Sequence, residues 1–181
     1  SKTYIFGFEE SCGYLRGTHA RDKDAVVASM LFAELVCYYQ YINKSVYGRL
    51  SEIYDKYGFV FDTNVSTAYS GLNAMKEMNA VVDKMKAVEL TEIAGMKVLA
   101  TRDYSIAKRK LLDGTVEDID SPKTNAVYYE LEGGSFICIR PSGTEPKMKL
   151  YISCCAKSKE ETIKRNKEVK DAVLQYVNKV E

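Results

Sequence analysis

A chain of 181 residues with 46% hydrophobic composition can bury a real core, which excludes a disordered tail or a small disulfide-held scaffold. Its 26 Lys plus Arg nearly cancel its 25 Asp plus Glu, so no overall field draws it to nucleic acid or to an anionic membrane, and any anion site must be local. Five cysteines (Cys12, Cys37, Cys138, Cys154 and Cys155) form no CxxC pair, which argues for reduced thiols in a cytoplasmic setting rather than a disulfide frame or a zinc site.

The chain opens with Tyr4–Phe8 reading as a strand and has no initiator methionine, so the expectation is a piece of something longer. Gly7–Tyr14, GFEESCGY, follows. A carboxylate accepts two hydrogen bonds from vicinal hydroxyls and a serine donates or accepts, so the stretch suits a polyol; an acidic solvated turn is the alternative. In His19–Asp24, HARDKD, Asp24 stands where an N-cap is wanted for an apolar helix starting at Ala25. Arg21 and Lys23 offer positive charge at that helix start or are simply solvated, and His19, the single histidine, reads first as a structural hydrogen bonder. Residues 25–42 are apolar enough to raise a membrane span, but Glu34 at the middle of the run argues against it, so a helix buried between layers is expected.

A second helix is predicted from Val46 to Tyr57, stopped by Gly58. The composition then changes, and a domain boundary or hinge is placed between about Tyr57 and Thr63, with a polar, turn-rich stretch from Asn64 to Gly71. Ser70 is the expected cap of a helix over 72–86 with Leu72, Met75, Val82 and Met85 as its stripe. A strand over 96–101 precedes a polar run, 104–123, read as a solvated loop. Residues 125–131 and 135–139 look like a hairpin, and Ser158 with Glu161 makes a capping box for the last helix. The order of helices and strands implies an α+β domain, a four-stranded antiparallel sheet with helices on one face.

Arg140–Pro146, RPSGTEP, gathers the groups that hold a phosphate. Arg140 offers a fork of donors, Ser142 and Thr144 add hydroxyls, and Gly143 lets the backbone come close. Pro141 and Pro146 stiffen the turn, and the alternation from Met148 to Cys154 puts it between two strands. A hairpin turn rich in Gly, Pro and hydroxyl residues is the alternative.

Taken together, GFEESCGY, HARDKDA and RPSGTEPKMK, in that order and separation, resemble the α-D-phosphohexomutases, in particular the bacterial phosphoglucomutase and phosphopentomutase branch. The resemblance implies that residues 1–57 are the end of the family's third domain, an α/β/α domain, and 58–181 its fourth, a TATA-box-binding-protein-like domain. It implies that Glu9 and Ser11 hold sugar hydroxyls, with His19 and Lys23 lining the same cleft, and that Arg140, Ser142, Gly143 and Thr144 grip the phosphate that is not being transferred. Cys12, Gly13 and Tyr14 stand where many members carry a histidine, so no acid or base is assigned there. The catalytic serine loop and the magnesium loop of the family have no counterpart in this sequence, so no catalytic or metal residue is assigned. The parent enzyme that the resemblance implies works in the cytoplasm, holds Mg in a domain this sequence does not contain, and passes through glucose 1,6-bisphosphate. Its partners would be a phosphosugar and the N-terminal domains, with no nucleic acid and no membrane. A phosphomannomutase or phosphopentomutase parent, or a stand-alone anion-binding module, are the alternatives.

Overall fold

The structure is a computed structural model that describes residues 3–9, 12–143 and 145–178. The chain divides into two compact units, Ser1–Lys56 and Tyr57–Glu181.

In the first unit, β1 (Phe6–Phe8) and β2 (Tyr14–Arg16) form an antiparallel ribbon with Phe6 opposite Arg16 and Phe8 opposite Tyr14. Asp24 caps α1 (Ala25–Tyr41) as expected, its Oδ1 accepting from the Val26 and Val27 amides at 2.8 and 3.1 Å. A helix apolar on all sides needs cover on all sides. The ribbon and α2 (Val46–Tyr57) are all that the described residues of this unit supply, and no residue of α1 is buried. Val26, Phe32 and Tyr38 are 71%, 59% and 58% exposed, contrary to the expectation of a helix between layers. Among the described residues no single helix is long and apolar enough to cross a membrane, and α1 and α2 meet at an 85° bend.

The second unit carries the core. Its elements are β3 (Phe59–Ala68), α3 (Ala74–Ala87), β4 (Glu92–Ile93), β5 (Met96–Asp103), β6 (Lys108–Leu111), β7 (Val116–Asp118), β8 (Val127–Leu131), β9 (Phe136–Pro141), β10 (Lys147–Ala156) and α4 (Lys159–Asn178). The sheet runs β3-β10-β9-β8-β5-β6-β7, every pair antiparallel, with β4 on β5. Alternation decides which face is wet: Met148, Leu150, Ile152 and Cys154 of β10, with Ile137 and Ile139 of β9, join Met78, Val82 and Met85 of α3 and Val169 and Val173 of α4 in one buried cluster. Each such side chain contributes about 1.5–3 kcal/mol on leaving water. Two polar links fix the layers: Tyr129, with no exposure, donates its hydroxyl to the Met85 carbonyl at 2.5 Å, and buried Asn166 of α4 donates to the Phe61 and Ile152 carbonyls.

The second unit is therefore α+β with an antiparallel sheet and its two helices on one face, as the sequence implies, but the sheet is wider than the four strands expected. Most of the stretch read as polar turns belongs to β3, an edge strand; Asp62, Asn64 and Ser66 project from its wet face, and this alternation with Thr63 and Val65 mimics a loop in composition. The run read as a solvated loop contains the β6–β7 hairpin, whose charges pair across strands, Lys108 with Asp118 at 2.6 Å and Arg109 with Glu117 at 2.7 Å. Helix α3 starts after Asn73, not at Ser70, and fully exposed Leu72 lies outside it. Its buried stripe is Met78, Val81, Val82 and Met85. Gly58 does stop α2: its φ is +92°, and a Cβ there would sit 3.1 Å from both the Ala156 carbonyl and the Cys155 sulfur. Half of the expected capping box forms, Ser158 Oγ accepting from the Glu161 amide at 3.2 Å, while the Glu161 carboxylate takes Arg165 at 2.7 Å.

Candidate functional site

The first loop closes the β1–β2 ribbon. The Glu9 amide donates to the Gly13 carbonyl at 2.9 Å and the Cys12 amide to the Glu9 carbonyl at 3.2 Å, so the turn folds back on itself with Cys12 at φ 65°. Ser11 lies outside the described residues. Lys23 reaches across to this turn, its Nζ 3.7 Å from Glu9 Oε1 and 3.2 Å from Asp22 Oδ1. Asp22, then Glu9, push the Lys23 ammonium pKa up, and the Lys23 amide and ammonium hold Asp22 below the usual carboxylate range. Gly13 is what allows the approach: a Cβ there would fall 2.5 Å from Glu9 Oε1 and 2.6 Å from Lys23 Cγ. The result is an open cleft of 310 Å³ bordered by Glu9, Gly13, Tyr14, Arg21, Asp22 and Lys23. A carboxylate acceptor beside ammonium and guanidinium donors is chemistry that a polyol or its phosphate ester can use.

His19 is not part of that cleft. Its Nε2 sits 2.8 Å from Asp24 Oδ2, and this contact, with the Val27 and Val26 amides, keeps the Asp24 carboxyl below its ordinary pKa. The histidine thus braces the helix cap.

The second loop joins β9 to β10. Arg140 is exposed at the end of β9, directly opposite Lys149, and Pro141 is opposite Met148. The turn is tied from within, since the Ser142 amide donates to the Lys147 carbonyl and the Lys147 amide to the Glu145 carbonyl, both at 2.7 Å. From outside, the Tyr69 amide donates to the Pro146 carbonyl at 2.8 Å. With its amide spent in the turn, Ser142 offers its hydroxyl, and Gly143, exposed and with nothing within 4 Å of its absent Cβ, offers bare backbone. Thr144 lies outside the described residues. Beneath the loop, Ile139 and Leu150 face each other at 0% and 1% exposure, so the guanidinium rises from a packed floor. Sequence reasoning missed Lys147 and Lys149. Period-two alternation puts both on the wet face with Arg140, a signal usable only once the β9–β10 register is known.

Other features of the second unit lie apart from this loop. A groove of 380 Å³ runs between the end of α3 and the β5–β6 hairpin over Leu90, Val98 and Ala100. On the wet face of the sheet, Glu130 takes Arg109 at two oxygens (2.7 Å each) and Arg102 at 2.5 Å, and the Arg109 and Arg102 guanidiniums pull its carboxyl down to a pKa of about 2. Burial holds the Cys154 thiol at about 11, a protonated and unreactive form at neutral pH. Among the described residues no group of three or more His, Cys, Asp and Glu is arranged to hold a metal ion.

The order of these loops along the chain has a match. Residues 1–57 fit the family description phosphoglucomutase/phosphomannomutase, alpha/beta/alpha domain III, and residues 77–172 fit phosphoglucomutase/phosphomannomutase, C-terminal domain. The chain belongs to the phosphoglucomutase/phosphomannomutase family. Among family members, a phosphoglucomutase of Staphylococcus haemolyticus is 36% identical over 154 residues, 84% of this chain and 28% of that protein. One of Staphylococcus aureus is 40% identical over 150 residues, 82% of this chain and 27% of that protein. The chain thus spans under a third of the length of these curated relatives. In fold it is similar to parafusin, an exocytosis-sensitive phosphoprotein and phosphoglucomutase of Paramecium solved in an open form, with a TM-score of 0.53 at 16% identity, over 95% of this chain and 31% of that one.

Proposed function

We propose that this chain is the substrate-binding C-terminal part of a cytoplasmic phosphohexomutase that interconverts glucose 1-phosphate and glucose 6-phosphate, residues 1–57 being the end of its third domain and 58–181 its fourth. The observation that carries the reading is Arg140, exposed at the mouth of a tied turn on a buried floor, opposite a second cation and followed by a hydroxyl and a bare glycine, in a chain of this family.

In the parent enzyme a phosphoserine passes its PO₃ group to a free hydroxyl of the sugar phosphate, the bisphosphate reorients, and the other phosphate returns to the serine. A transfer of this kind depends above all on positioning. Arg140 donates through its fork to two oxygens of the phosphate that is not moving, while the Ser142 hydroxyl and the Gly143 backbone approach a third. Such a cluster is indifferent to which carbon bears the phosphate, as alternating orientations demand. Glu9 accepts from sugar hydroxyls and Lys23 lends charge to the same cleft. The reading leaves the Mg of the parent enzyme, with the serine, to other domains.

The test is calorimetry of glucose 6-phosphate with the 181-residue chain. Arg140→Ala is expected to weaken binding by about tenfold or more, the worth of a charge-assisted bond, whereas Lys110→Ala, whose ammonium is occupied by Glu89 on another part of the sheet, leaves it unchanged. Equal losses would defeat the assignment. The chain alone is expected to give no interconversion of the two glucose phosphates.

A further inference from the structure

The phosphate turn contains a carboxylate where a site for an anion should have none. Glu145 and Lys147 flank Pro146, and their side chains pair at 2.8 Å although both are half exposed, 57% and 44%. The pairing is local and built in: the Lys147 amide donates to the Glu145 carbonyl and the Lys147 carbonyl accepts from the Ser142 amide, so Lys147 is the hinge on which the turn closes. Lys147 also lies two residues along β10 from Lys149, on the face that Lys149 shares with Arg140. Three cations therefore crowd one corner of the sheet. Of these three, only Lys147 has the carboxylate of a described residue within salt-bridge distance. Lys147 first, and Lys149 to a lesser extent, keep the Glu145 carboxyl below its ordinary pKa, so it stays ionised at neutral pH.

Resting on the phosphate-site reading above, we propose that Glu145 is an internal stand-in for the ligand: it holds Lys147 in the empty turn and gives it up when a phosphate dianion arrives. Three cations and one carboxylate leave a net charge of two positive, matched to a dianion. With Lys147 parked on Glu145, the empty corner is spared the repulsion of three neighbouring cations. A monoanion repays the separation of the pair less well than a dianion, so the device favours the doubly ionised phosphate. An exposed pair of this kind is weak, which suits a contact that must open at each turnover. Lys147 is thereby a specificity-determining cation and Glu145 a positioning residue acting through it.

The experiment titrates inorganic phosphate into the full chain by calorimetry, with Arg140→Ala as reference and thermal denaturation of each variant as a control for folding. Glu145→Gln is expected to tighten phosphate binding about two- to fivefold, because it frees Lys147, and to steepen the dependence of log Kd on log salt. Lys147→Met, which leaves Glu145 facing the ligand, is expected to weaken binding by at least as much. Lys147→Arg retains affinity, and the double variant falls between the two single ones. Tighter binding by Glu145→Gln is the result that a purely structural role for the pair cannot produce. Weaker binding by Glu145→Gln, or no change in Lys147→Met, overturns the proposal while the site reading stands, provided Arg140→Ala still loses affinity. If Arg140→Ala loses none, the site reading falls and this inference with it.

Discussion

The two candidate loops are both turns that close a pair of antiparallel strands, yet they are held in place by different means. The β1–β2 turn sits on three-residue strands with no buried side chain, and it is held by backbone bonds of its own and by surface charge pairs of Lys23 with Glu9 and Asp22. The β9–β10 turn stands over Ile139 and Leu150 within a sheet covered by α3 and α4. A packed floor fixes direction without salt sensitivity, whereas exposed ion pairs are screened and worth little each. The second loop is therefore the more rigidly anchored of the two, and the first the more sensitive to salt.

Removing the floor should have the largest effect. Ile139→Ala is expected to cost about 2–5 kcal/mol in urea denaturation and to weaken phosphate binding, while Leu35→Ala on α1, a side chain 41% exposed, should change stability by less than about 0.5 kcal/mol. Comparable losses would mean that the first unit has a core of its own. Next is Arg140→Lys, which keeps the charge but loses the fork; phosphate affinity should fall about tenfold with the fold intact, as read by calorimetry. Smaller again is the acid response of the sheet. Because Glu130 has its pKa lowered to about 2 in the folded state, the stability it contributes is present above its ordinary value near 4.5 and is lost as pH falls from there towards 2. Denaturation midpoints at pH 7 and pH 3 should thus drop further in the natural protein than in Glu130→Gln, by about 1 kcal/mol once solvent screening is allowed for. The smallest effect sharpens the contrast from the other side: His19→Ala should fray the first turn of α1, seen as faster amide exchange at Val26 and Val27, and leave the β9–β10 turn untouched.

Much of this was legible because the signals are short in range. Asp24 before an apolar run, Gly58 after a helical one and the alternation from Met148 to Cys154 each specify structure within a few residues, and α1, α2 and β10 follow them. Strand β3 was hidden because it lies at a sheet edge, where half of its side chains are polar and its composition is that of a loop. The β6–β7 hairpin was hidden because its stabilising partners are charges, and a run such as Lys108–Lys110 reads as solvated until Asp118 and Glu117 are brought opposite.

By itself the amino-acid order determined the α+β class, the Asp24 cap of α1, the Gly58 stop of α2 and the chemical kit of the Arg140–Gly143 turn, since each depends on neighbours along the chain. Tertiary structure alone decided which charges of the sheet meet: that Lys149 faces Arg140 and that Glu130 gathers Arg102 and Arg109. The reason is register. Which residue lies opposite which is set by distant apolar side chains finding one shared core, and a slip of one position would turn every one of those groups to the other face.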